Sequence, residues 1–362
     1  MIKHCNTCLL CILLIGLLIS CGSDTGDDYT NVPVSPVTLN VNQAPYDSLS
    51  KYHFFGGELK NLKPVLGVLP YDLNSSLFTD YALKKRFVYM PLGSKATYVT
   101  DGEVLNFPVG TALIKTFYYD NAGTDRATLL LETRIMMKKP EGWIFANYVW
   151  NNNQTEAVLT PTGSTKTVSW YQGNIYRTVN YKIPSQAQCA TCHTLNDIPT
   201  AIGPKPQNLN KNYTYWDGVS KNQLAKWIEF GYLDAAPQTI NSTVDWTDTS
   251  KSLSLRARSY LDINCAYCHT QGAYCGYTPM DLAFNKTHID ANLGICVPPQ
   301  DFVTGDQQYL IAKQDAEGSL LAFRIKTSDP AEMMPLLGRT VIHREGILLI
   351  DQWINTMNEP CP

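Results

Sequence analysis

Two short words constrain this chain more than anything else in it: "QCATCH", Gln188–His193, and "NCAYCH", Asn264–His269. Each contains Cys-x-x-Cys-His, a pattern that reads as covalent attachment of a c-type haem. The spacing has a physical reason. Each thiol adds to one vinyl group of the porphyrin, and two intervening residues let both sulfurs reach from one helical turn. The adjacent histidine then lies under the iron as its proximal ligand. The chain is therefore expected to hold two covalently bound haems c, attached through Cys189, Cys192, Cys265 and Cys268, with His193 and His269 on the metal. The alternative is a closed zinc set of thiolates or thiolates and imidazoles, which two such words permit without requiring.

The two words differ in their downstream sequence. After His269 comes a long loop, then "AEMMPLLGRT", then an apolar helical stretch. Small cytochromes c share this order, and a Met thioether opposite His raises the potential. Met334, followed by Pro335, is the expected distal ligand, with Met333 as runner-up and Arg339 as a partner for propionate. Between His193 and Asn264 there is neither Met nor His. The far side of the first haem is thus left to a distant residue (His53, Met280, His288 or His343), to a side chain such as Lys205, or to an open site.

The N-terminus points to export. Leu9–Ile19 is an apolar run too short to span a bilayer and suited to a signal-peptide core. It ends in Leu18-Ile19-Ser20-Cys21-Gly22, which resembles the bacterial lipoprotein cleavage box. Residues 1–20 are expected to be removed and Cys21 to carry lipid, with 21–40 as a tether. The acidic "SDTGDD" resembles the export tag of surface lipoproteins. In an oxidising compartment the spare thiols tend to pair, and Cys275 and Cys296 bracket one loop, so a disulfide is expected between them. Cys361 is then left over.

The rest of the chain divides by texture. Residues 41–183 carry short runs rich in β-branched and aromatic residues, such as "LIKTFYYD" and "GWIFANYVWN", punctuated by turn residues. They predict an antiparallel, sandwich-like β domain. From 184 onward, "KNQLAKWIEFGYL", "SLSLRARSYLDINCAYCH" and "REGILLIDQWINTM" have helical spacing. In the last, Ile347, Leu348, Ile350, Trp353, Ile354 and Met357 form the expected apolar stripe. The fold class is therefore mixed and two-part: the β domain, then a mainly α, cytochrome c-like region with haem units at 184–250 and 251–362. Apolar residues at 44% against 17% charged fit a globular chain, and a net charge of −3 with no basic block argues against nucleic acid as a partner.

Several stretches together resemble a family of bacterial dihaem c-type cytochromes described as haem-binding lipoproteins. The matching words include "VLPYDLNSSLFTDYALKKRFVYMPLGSKATY", "GWIFANYVWNNNQTEAVL", "QCATCH", "IGPKPQNLN", "RARSYLDINCAYCH" and "DPAEMMPLLGRTVIHREGILLIDQWI". The resemblance implies secretion and two haems at the six Cys and His positions above; it implies no substrate. The leading expectation is electron transfer in the cell envelope, between redox donor and acceptor proteins or quinone-linked complexes, on a lipid-anchored protein facing the periplasm or cell surface. On that reading the chain is a carrier rather than an enzyme. The alternatives are a dihaem peroxidase-like oxidoreductase working at an open first haem, and a haem-bearing binding protein whose β region recognises a partner.

Overall fold

The β-branched and aromatic runs pair as strands of one sheet. In the computed structural model, which describes residues 34–300 and 307–362, six strands succeed one another as antiparallel neighbours: β1 (Val68–Tyr71), β2 (Leu83–Tyr89), β3 (Ala112–Ala122), β4 (Ala127–Lys139), β5 (Gly142–Trp150) and β6 (Ala157–Leu159). The hairpin of β7 (Ser164–Gln172) and β8 (Ile175–Ile183) joins the end of β3 through Ala122 and Trp170, which makes the sheet eight-stranded. The signal peptide, Cys21 and the tether up to residue 33 lie outside the described residues. Among those residues no helix is long and apolar enough to cross a membrane.

Both faces of the central strands are covered, so they read as near-continuous apolar runs rather than alternating ones. One face, with Phe87, Ile114, Ile135 and Tyr148, packs on Leu49, Tyr52 and Phe54 from the preceding segment. The other face, with Leu69, Val88, Leu113 and Met136, packs on Leu209, Trp227 and Ile263. The core therefore runs across the change of texture at residue 184, and Ser35–Pro362 make one compact unit. Only β7 and β8 alternate between exposed and buried positions, as strands with one wet face do.

Among the described residues, seven α-helices come after the sheet: α1 (Gln186–Cys192), α2 (Pro206–Leu209), α3 (Gln223–Glu229), α4 (Leu253–Asn264), α5 (Asp290–Leu293), α6 (Leu320–Lys326) and α7 (Arg344–Asn355). They are short, and turns and irregular backbone occupy most of the chain between them. The frequent Gly, Pro, Asn and Asp of this stretch account for that, because they stop helices and favour turns. The buried face of α7 is Gly346, Leu349, Ile350, Trp353 and Ile354, a helical stripe. Leu348, expected inside, is 69% exposed. Gly346 lets α7 approach α4: a Cβ there would lie 2.5 Å from Tyr260 Cζ.

Candidate functional site

The first motif is set by a helix start. Ser185 caps α1 by accepting from the Gln188 amide, while the Gln188 side chain accepts from the Ser185 amide, a reciprocal capping box. The short helix carries Cys189 and Cys192, and the chain leaves it at His193. The His193 Nδ1–H donates to the Thr200 carbonyl at 3.2 Å. A ring nitrogen spent on a carbonyl leaves the Nε2 lone pair free, which is the arrangement of a metal-ligating imidazole. Burial, with Lys115 nearby, pushes this histidine down to about 3, so it is neutral at physiological pH.

The second motif closes α4, which Ser252 caps through the Leu255 amide and which ends at Cys265. The Thr278 hydroxyl donates to the Cys275 carbonyl at 2.8 Å, so it accepts from His269 Nδ1–H at 3.1 Å. His269 is thus also left with Nε2 free, and burial with Arg324 nearby pushes it down to about 4. Burial pushes the Cys265 thiol up to about 12 and raises Cys189. Cys192 and Cys268 act on each other's acidity, which lowers the first and raises the second.

Each motif faces a cavity. The one beside Cys189, Cys192 and His193 has about 1280 Å³ of empty space, continuous with solvent, between α1 and the sheet. Its walls include Leu113, Lys115, Arg134, Met136 and Phe145, and the Phe145 ring lies 5.3 Å from that of His193. The other, beside Cys265, Cys268 and His269, has about 430 Å³, and Met334 is in its wall. Cys192, Tyr267 and Leu337 line both.

Met334 is held by its loop. Its amide donates to the Arg324 carbonyl at 2.9 Å, and Arg339 Nε donates to its carbonyl at 2.9 Å. Arg339 Nη2 ties the same loop to the Arg324 and Thr327 carbonyls, and its buried Nη1 has no hydrogen-bond partner among the described residues. Arg339 and Met334 share a smaller cavity of about 330 Å³ with Cys265 and His343. Met333 lines none of these cavities.

The distant residues considered for the first site do not line its cavity. His53 bonds to the Thr38 hydroxyl at 3.0 Å. His288 is exposed and bonds to the Asn285 carbonyl. Met280 packs on the core around α4 and α7, and Lys205 meets Asp262 at 3.8 Å. His343 is stacked on Phe78 at 4.1 Å between ring centroids and bonds to the Tyr260 hydroxyl. The polar and sulfur groups that do reach this cavity from the sheet, Arg86, Lys115, Arg134 and Met136 among them, carry no sequence signal of that role. Each sits in an ordinary strand word, and only the pairing of the strands puts them on one face.

The disulfide expectation is corrected. Cys296 is bonded to Cys361, not to Cys275. Cys275 is buried with a free thiol, its amide donating to the Cys268 carbonyl at the wall of the second cavity. The C-terminal segment folds back past α7, where the Lys313 amide reaches the Cys361 sulfur, and this return brings the terminus to Cys296. Proximity along the chain was the wrong guide.

Among the described residues, no three or more His, Cys, Asp or Glu side chains are gathered as a metal-holding group. No family model, curated relative or solved structure matches the chain.

Proposed function

We propose that the protein is a dihaem c-type cytochrome that carries electrons in the bacterial cell envelope, anchored by lipid on Cys21. The observation that carries this reading is the meeting of the two motifs: their cavities have Cys192, Tyr267 and Leu337 as common wall, so two cofactors attached there would be neighbours. The residues fit such a cofactor. Each motif offers two thiols, an imidazole with Nε2 free and an adjoining cavity, and the buried Arg339 Nη1 lacks an acceptor that a carboxylate would supply. In attachment, each thiol S–H adds across a vinyl double bond, forming the S–C bond and leaving its hydrogen on carbon. When bound, a haem supplies one reversible electron between Fe(II) and Fe(III).

The chain's own residues then divide the work. Cys189 and Cys192 would attach one haem and His193 would bind its iron; Cys265 and Cys268 would attach the other, with His269 and Met334 as the side chains offered to its iron. Thr200 and Thr278 fix the two imidazoles. Segments 184–250 and 251–362 act as two cytochrome c-like units on the sheet. Expression with a c-type maturation system, then peptide mass analysis and redox titration, tests the reading. Two haems per chain and two reversible one-electron steps are expected; a chain carrying none, or only one, overturns it.

A second reading is favoured at the first site by the size and solvent access of its cavity and by His193 being the one histidine among the described residues in its wall. There the protein would be an oxidoreductase of the peroxidase type. Peroxide consumption by the reduced protein, at a rate above that of free haem and abolished by cyanide, supports it; a rate no higher than free haem removes it.

A further inference from the structure

Arg86, Lys115 and Arg134 are direct cross-strand neighbours on β2, β3 and β4, and all three line the cavity beside His193. Like charges placed opposite one another weaken a sheet, and charges withdrawn from water persist where they are paired. Two of the three have carboxylates. Arg86 meets Asp72 at 2.7 Å and Arg134 meets Glu132 at 2.6 Å. Both acids are already shared: Asp72 also meets Lys211 at 3.6 Å, and Glu132 accepts from the Tyr181 hydroxyl at 2.7 Å. Asp80 is turned onto the Thr340 and Val341 amides. Neighbouring Lys84 is spent on the Leu77 and Ala82 carbonyls and brings a further cation.

Lys115 has no carboxylate partner among the described residues; its ammonium group lies 5.1 Å from the Phe117 ring centroid. Burial and the flanking guanidinium groups push it down to about 7, with the Glu132 carboxylate opposing them. The row thus presents surplus positive charge to an otherwise apolar cavity that a large planar ligand would fill.

We propose that the Arg86–Lys115–Arg134 row is a carboxylate cradle, and that the carboxylates it takes are the propionates of the porphyrin attached at Cys189 and Cys192. Lys115 supplies a charge with which no carboxylate among the described residues pairs directly, and the two arginines keep their own acids while offering remaining N–H donors. Lys115 acts here on the porphyrin edge and not on the iron. The inference rests on the haem reading above.

The test uses Lys115→Met and Lys115→Arg in the haem-loaded protein, with spectroelectrochemical titration across pH. Loss of a cation beside the cofactor stabilises Fe(III). K115M is therefore expected to lower the midpoint of one redox step and make that step more pH-dependent, because the propionate it faced becomes easier to protonate. K115R is expected to keep both close to wild type. If K115R alters the spin state as K115M does, Lys115 is an iron ligand and the proposal fails. It fails too if both haems are present and neither variant moves either step.

Calorimetry with succinate separates the source of the carboxylates. The haem-loaded wild type should show no binding; binding that K115M abolishes would assign the row to a free dicarboxylate instead. If the wild type carries no haem, the haem reading falls separately. The cradle is then upheld by succinate binding to the haem-free chain that K115M abolishes, and it falls if no such binding is seen.

Discussion

Cys192 and Cys268 line one cavity and each thiol shifts the acidity of the other, so the last cysteines of two motifs far apart in sequence meet there. That contact exists only because α1 and the end of α4 are brought to a shared wall. In the haem-free chain, mild oxidation is expected to join Cys192 to Cys268, since a disulfide needs its sulfurs brought together by the fold. Peptide mapping without reduction detects the cross-link. Recovery of Cys189 joined to Cys192 in its place would show that the two motifs do not meet in solution. In the haem-loaded protein neither pair should form, because the thiols are consumed.

Met334 lines the cavity of the second motif and Met333 does not. A thioether opposite His raises the potential of a haem iron relative to a second imidazole. Met334→His is therefore expected to lower the midpoint of the higher-potential step, and Met333→Leu to leave it within experimental error. Spectroelectrochemistry reads both. An unchanged higher step in the Met334 variant would remove this residue from the iron.

The bond between Cys296 and Cys361 closes a separation of 65 residues. Chain-entropy estimates give a bridge across a loop of that size about 4 kcal/mol. Cys361→Ser should lose stability of that order in urea denaturation. Cys275→Ser should lose only about 1 kcal/mol, the scale of a polar substitution at a small buried site. Equal losses for the two would argue that Cys361 is not bridged.

His343 sets an acid limit. Burial pushes its imidazole down to about 4, although Glu345, 3.8 Å away, works in the opposite direction and Lys84 adds to the lowering. The folded chain thus refuses a proton that the unfolded chain takes up between about pH 6.5 and pH 4. The penalty is absent above that window and grows as pH falls through it, reaching about 3 kcal/mol near pH 4. His343→Phe keeps a ring to stack on Phe78 and should flatten the acid limb of a stability-against-pH curve. The comparison is made in the haem-loaded protein, where on the proposed function His193 and His269 would be held by iron. A variant with the same acid slope as wild type would show that His343 is not the group responsible.

The strands and the three longer helical stretches were legible because each is a local pattern: β-branched runs broken by turn residues, and apolar spacing ahead of "NCAYCH" and near the C-terminus. The stripe on the last helix was legible only approximately. Composition marked Leu348 as apolar, but its phase on α7 turns it to solvent while Gly346 and Leu349 face α4. The disulfide was misread because loop proximity is a chain property, whereas the return of the terminus past α7 is a packing property. Lys115 and Met136 were invisible as cavity residues, since nothing in "LIKTF" or "RIMMK" states which strand lies beside which.

The sequence by itself determined the chemistry on offer: two pairs of thiols each with an imidazole directly after, two adjacent thioethers in a late loop, and an apolar run shortly before Cys21. These are written in adjacent residues and need no fold to be read. Only the tertiary structure decided that the two motifs adjoin, that the first cavity is floored by the sheet, and that a row of Arg86, Lys115 and Arg134 looks into it. Strand register and the burial of both sheet faces are set by contacts between residues distant in sequence, and those contacts leave no local signature.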